Sequence, residues 1–159
     1  MPNIDSTTIE AMLSACSVYK GYCFPMIGLH PTSVNANYEK ELEIVARELK
    51  FSKEYVAIGE IGMDLYWDKT YLKEQQIVLD KQVNWALEYD LPIVIHCRDA
   101  FDYIYKVLEP YKKTPLRGIF HSFTGTAEEA TRVLEFSDFF IGINGAVSYT
   151  HLTLPTNSL

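Results

Sequence analysis

A chain of 159 residues, 48% hydrophobic and 22% charged, is long enough for one domain with a true core and is composed like an ordinary globular protein. Its formal charge of -7, with lysines and arginines sparse among acids, argues against a passive nucleic-acid-binding module, which needs a basic face. It does not exclude an enzyme acting on a phosphate ester, provided bound cations supply the attraction.

No apolar run approaches the roughly 20 residues of a membrane helix, and no membrane association is expected. The opening MPNIDSTTIEAML lacks the basic and apolar regions of a signal peptide. Cys16, Cys23 and Cys97 are odd in number and form no CxxC pair, which fits reduced thiols and a cytoplasmic location.

Strand and helix patterns alternate along the chain. Thr7-Thr8-Ile9-Glu10 matches a capping box and predicts a helix through Leu13 and Ser17. Phe24 to Leu29 reads as a buried strand, stopped by His30-Pro31. A helix follows from about Glu39 to Leu49, with Leu42, Val45, Ala46 and Leu49 on one face. Val56 to Ile61 is the next strand, and the longest helix spans about Tyr71 to Tyr89. Pro92 to Ile95 is a strand, after which Asp99 is expected to cap a helix reaching Tyr111. Gly118 to Phe120 is a short strand, Thr126 to Glu129 a second capping box opening a helix to about Phe136, and Phe139 to Ile143 a last strand. Five apolar strands joined by helical crossovers predict a parallel α/β sheet buried on both faces. An open doubly wound sheet and an arc of a closed barrel share this alternation. The absence of G-x-G-x-x-G and G-x-x-x-x-G-K removes the usual nucleotide-binding reasons for the open form.

Chemistry-bearing residues collect at the strand ends, where an α/β barrel keeps its active site. Ala57-Ile-Gly-Glu60-Ile-Gly-Met-Asp64 offers a carboxylate between glycines that let backbone and metal approach; it is otherwise a strand exit with a solvated Glu. Ile95-His96-Cys-Arg98-Asp99 offers an imidazole suited to a divalent metal and a planar guanidinium suited to a phosphate. The bland alternative is a core histidine, with Arg98 paired to Asp99 or Asp102. Cys97 alternates away from His96 and reads as packing. Phe120-His121-Ser-Phe-Thr-Gly125 repeats the arrangement one strand later, without the G-x-S-x-G elbow of a serine nucleophile. In Gly28-Leu-His30-Pro31 the histidine either lines the pocket or closes a turn. The aromatic residues Tyr66, Trp67, Tyr71, Trp85, Tyr89, Tyr103, Tyr105 and Tyr111 read mainly as helix packing, and only Tyr66 and Trp67 follow Glu60 closely enough to reach a substrate.

GLHP at Gly28 to Pro31, AIGEIGMD at Ala57 to Asp64, LPIVIHCRDA at Leu91 to Ala100 and IFHSFTG at Ile119 to Gly125 together resemble the TatD family of metal-dependent hydrolases, described as DNases. Order, spacing and strand context match over about Met1 to Ala146. The resemblance implies a TIM-type (β/α)8 barrel of the metal-dependent hydrolase class, with roughly strands three to seven present. It implies Glu60, His96 and His121 as metal ligands, with Glu60 shared between two divalent ions (Mg, Mn or Zn). Asp64 and Arg98 join Glu60 as expected catalytic residues, and His30 and Arg98 are the expected substrate contacts.

The expected activity is hydrolysis of phosphodiester bonds in DNA, single-stranded or at ends. The alternatives are an amidohydrolase-like enzyme acting on an amide or ester, or an inactive fragment lacking several ligands. The family's opening H-x-H and closing E-T-D strands have no counterpart here, and Met1 to Asp5 reads as the end of a second strand. The domain is therefore expected to span residues 1–146. Residues 147–159, including His151, read as a non-native tail resembling a translated transposase adapter.

Overall fold

The computed structural model describes residues 1–143. The elements in chain order are α1 (Ile9–Val18), β1 (Met26–Ile27), α2 (Tyr38–Phe51), β2 (Ala57–Asp64), α3 (Leu72–Glu88), β3 (Ile93–Arg98), α4 (Phe101–Leu108), β4 (Gly118–Phe120), α5 (Ala127–Val133) and β5 (Phe139–Ile141). The five strands are all parallel and lie in the order β1-β2-β3-β4-β5. That order separates the two architectures the alternation left open. A doubly wound sheet reverses direction at a switch point, whereas every crossover here steps the same way. Because such crossovers are right-handed, same-way steps put the helices on one face and curve the sheet as a barrel arc.

Residues 1–4 extend this arc alongside β1. The Met26 N–H donates to the Met1 carbonyl and the His30 N–H to the Ile4 carbonyl, each at 2.9 Å. The core lies between sheet and helices. Ile27, Ile58, Ile61, Met63, Ile93, Ile95 and Phe120 meet Leu79 and Val83 of α3 and Ile104 and Leu108 of α4, all essentially without solvent contact. On α2 the apolar stripe Leu42, Val45 and Leu49 is buried, as its helical spacing requires.

The local differences from expectation have identifiable causes. The first helix is capped by Asp5, not Thr7: Asp5 accepts from the Thr7 N–H at 3.0 Å and forms the capping box with Thr8, opening a 3-10 turn at Ser6–Thr8. Asp99 does not cap α4; it takes a left-handed φ of 52° and the cap position falls on Ala100. β1 is two residues long, because the Gly28 and Leu29 backbones bond to side chains and not to strands. β2 runs on to Asp64, past the expected end at Ile61. The second capping box, Thr126 with Glu129, forms as written. The expected domain boundary at residue 146 and the tail beyond it lie outside the described residues.

Two glutamines on α3 hold the strand ends in place. Gln82, wholly buried, accepts from the Leu29 N–H at 2.7 Å and donates to the Leu29 carbonyl at 3.3 Å. Gln75, seven positions earlier and so on the same helix face, accepts from the Asp64 N–H at 2.9 Å and donates to the Asp64 carbonyl at 3.2 Å. Asn3 does the same for Gly28 from the other side, donating to its carbonyl at 2.8 Å and accepting from its N–H at 2.9 Å. Each primary amide thus stands in for an absent strand backbone. Gln82→Leu is expected to cost about 2–4 kcal/mol, because it strands a buried donor and acceptor on Leu29. Urea unfolding measures it; a loss below about 1 kcal/mol would show that these bonds are dispensable.

Candidate metal centre

Glu60 reaches the site through an irregularity in β2. Gly59 pairs with Val94 and Ile61 with Ile95, so Glu60 has no partner on β3 and the register shifts across it. Such a bulge re-aims a side chain that the period-two pleat would otherwise direct with its neighbours. The strand packs tightly around it. A Cβ on Gly59 would lie 2.7 Å from Val94 Cβ, and one on Gly62, whose φ is +134°, would lie 2.0 Å from the His96 carbonyl oxygen.

The two carboxylate oxygens of Glu60 face different histidines. Oε2 lies 3.8 Å from His30 Nε2, and Oε1 lies 3.7 Å from His121 Nε2. The Glu60 side chain is largely covered, at 18% exposure, while His121 stands half exposed. The His96 ring packs edge-on against His30, 4.7 Å between centroids. His30 is itself fixed by Thr32, whose hydroxyl lies 2.7 Å and whose N–H lies 3.3 Å from Nδ1. Burial, reinforced by the neighbouring His96 and opposed by Asp64, pushes the His30 pKa down to about 4. At neutral pH the ring is therefore uncharged, the form in which imidazole ligates a metal.

His96 is oriented by Asp64, with Nε2 2.9 Å from Oδ2. Asp64 is buried and its other oxygen accepts from the Tyr66 N–H at 3.1 Å. With Gln75 holding the Asp64 backbone, a chain of contacts runs from α3 through Asp64 to the His96 ring. A carboxylate behind a histidine is the usual device for setting the ring's orientation at a metal.

His30, Glu60 and His96 each offer one ligand atom, and these atoms lie within 4.8 Å of one another. Ligands about 2.1 Å from a shared ion sit about 3.0–3.4 Å apart at tetrahedral or right angles. The Glu60–His30 separation of 3.8 Å is too long for a hydrogen bond and slightly wider than that spacing, and the group as a whole would draw in from 4.8 Å around an ion. Two imidazoles and a carboxylate form a donor set suited to Zn, and to Mn with added water. The residues present fit a divalent cation.

Two of the expected ligands, Glu60 and His96, come together in this group. His121 meets Glu60 from the opposite oxygen. His30, read as a strand-end histidine and assigned by the resemblance to substrate contact, lies about as near to Glu60 as His121 does. Arg98 is exposed and, among the described residues, pairs with neither Asp99 nor Asp102. Its guanidinium carbon lies over the Tyr66 ring, 3.8 Å from the centroid, while Asp102 binds Arg132 at 2.7 Å. Cys97 lies outside the group, and burial pushes its thiol up to about 12, so at neutral pH it is protonated and a poor nucleophile. Gln75, Gln82 and Asn3 escaped the sequence reading. The signal for the two glutamines was a pair of amides seven apart on the buried face of an amphipathic helix; Asn3 had none.

Comparison with known proteins agrees with this geometry. The family model for TatD related DNase matches residues 1–156. An uncharacterized metal-dependent hydrolase of Bacillus subtilis, YabD, is 32% identical over 95% of this chain and 58% of its own length. A protein named 3'-5' ssDNA/RNA exonuclease TatD from Pantoea sp. is 35% identical over 81% of this chain and 49% of its own length. The crystal structure of the TatD homologue YjjV from Escherichia coli superposes with a TM-score of 0.84 at 29% identity, covering 94% of this chain and 57% of that one. The chain thus spans about half the length of the relatives it matches. With its parallel arc and its histidine–carboxylate strand ends, the chain belongs to the TatD-related DNase family.

Proposed function

We propose that this chain carries the metal centre of a divalent-cation-dependent phosphodiesterase that cleaves single-stranded DNA, or DNA at its ends. The observation that carries the reading is Glu60 presenting one oxygen to His30 and the other to His121. A carboxylate faced from both sides in this way suits two ions sharing one anchor, with His30 and His96 on one side and His121 on the other. Mg, Mn or Zn bound there would polarise a phosphate oxygen and acidify a water. Asp64 holds the His96 ring at the required angle. Arg98, exposed beside the group, offers its planar fork to a phosphate oxygen. The names of the relatives, which include ssDNA/RNA exonuclease and metal-dependent hydrolase, support a phosphodiester over an amide substrate.

The three cysteines are free thiols, which favours a reducing compartment such as the cytoplasm. Among the described residues no helix is long and apolar enough to cross a membrane.

The test is metal removal and return. This chain should bind Mn2+ in calorimetry, and any oligonucleotide cleavage it supports should be lost in EDTA and regained with Mg2+ or Mn2+. Undiminished cleavage after chelation, or turnover of amides alone, overturns the reading.

A further inference from the structure

Beyond the ligand group, the loop after β2 presents an arrangement that the metal chemistry does not use. Tyr66 and Trp67 are consecutive, with rings edge-to-face at 4.6 Å. Tyr66 is half exposed, and Trp67 is 78% exposed, an unusual state for the largest apolar side chain. Arg98, from the end of β3, holds its guanidinium carbon over the Tyr66 ring, 3.8 Å from the centroid, and within 5.7 Å of the Trp67 ring centroid. Trp67 also forms one wall of a cleft of about 280 Å3, whose other walls are Pro31, Thr32, Val34, Asp64, Asp68 and Gln75. Two of these residues tie the cleft to the metal group directly. Pro31 follows His30, and Asp64 holds His96 at 2.9 Å.

We propose that Trp67, with Tyr66 and Arg98, forms a stacking subsite for one unpaired nucleobase of a single-stranded substrate, next to the scissile phosphate. The inference rests on the phosphodiesterase reading and adds what holds the strand. A chain of net charge -7 gains little from long-range attraction to a polyanion, so affinity must come from local contacts. An exposed indole supplies such a contact with any base, because every base has a π-face. Tyr66 immobilises the Arg98 guanidinium from below, leaving its N–H edge free for the adjoining phosphate. The cleft lies at the small end of ligand pockets, roughly 300–1,000 Å3, which suits one planar group. Paired bases keep their faces covered within the duplex, so the subsite selects unpaired ends.

The test compares two labelled strands of equal length, hexathymidylate and its abasic counterpart, binding to this chain by fluorescence anisotropy, with EDTA present to prevent cleavage. Hexathymidylate should bind roughly ten- to a hundredfold more tightly, the range expected for stacking of one base. Trp67→Ala should bring the two strands level, and Trp67→Phe, which keeps an aromatic face, should restore most of the difference. Equal binding of both strands by the wild type, or a difference untouched by Trp67→Ala, overturns the subsite. So does the absence of binding to either strand. The phosphodiesterase reading is judged separately, by metal-dependent hydrolysis of bis(p-nitrophenyl) phosphate, which has no base to stack.

Discussion

Replacing Glu60 by Gln is expected to reduce metal-dependent cleavage on the order of a thousandfold or more, the scale seen when a preorganised electrostatic anchor is removed. The substitution keeps the size and shape of the side chain but replaces one oxygen by an amide nitrogen that cannot ligate. Since each Glu60 oxygen faces its own histidine, at 3.8 and 3.7 Å, no orientation of the amide serves both sides. Mn2+ affinity measured by calorimetry should fall in parallel. Stability should hold or rise slightly, because Glu60 contributes little to the core and its charge is costly in a mostly covered position. Unchanged metal affinity in the Glu60→Gln variant would remove Glu60 from the ligand set, whatever happens to activity.

Among the described glycines, Gly62→Ala should be the most damaging, costing about 4 kcal/mol or more. The added Cβ would meet the His96 carbonyl oxygen at 2.0 Å, its carbon at 3.0 Å and its nitrogen at 3.1 Å, and the φ of +134° is one that alanine rarely adopts. All three obstacles are backbone, so β3 itself must move, and with it the imidazole of His96. Urea denaturation and Mn2+ affinity should therefore fail together. Gly21 provides the control. It also has a positive φ, of +86°, but nothing lies within 4 Å of the added methyl, so Gly21→Ala should cost only about 1 kcal/mol. Equal stability of the two variants would show that β2 and β3 do not approach as closely as described.

The two experiments probe different layers of one construction. Glu60 is the proposed metal ligand; Gly62 is the reason two neighbouring strand ends can lie near enough for their side chains to converge. Between them stands the bulge that leaves Glu60 without a partner on β3. The three buried amides act at a further remove, since Asn3 and Gln82 hold the backbone leading into His30 and Gln75 holds that of Asp64.

Much of this was legible in the order of the residues. Apolar runs of strand length, alternating with helix-period stripes, pointed to a parallel sheet with crossover helices; the burial expected on both faces is met only on the helix-covered one, since Phe140 of β5 is exposed and Val94 and Ile119 are only partly buried. The Thr126–Glu129 capping box could be read directly, since its bonds are local. Glu60, His96 and His121 were identifiable as candidates because each closes an apolar run, and strand ends in an α/β fold point toward one face.

Distance along the chain concealed the rest. Whether the strands wind both ways or one way depends on neighbours dozens of residues apart, and only the order β1-β2-β3-β4-β5 decided it. The nearness of His30 to Glu60 follows from two strands lying side by side and from a register shift that periodicity does not encode. The amide side chains that replace strand backbone were invisible for the same reason: a buried glutamine is intelligible only once the unpaired N–H and C=O that it satisfies have been brought to it by the fold.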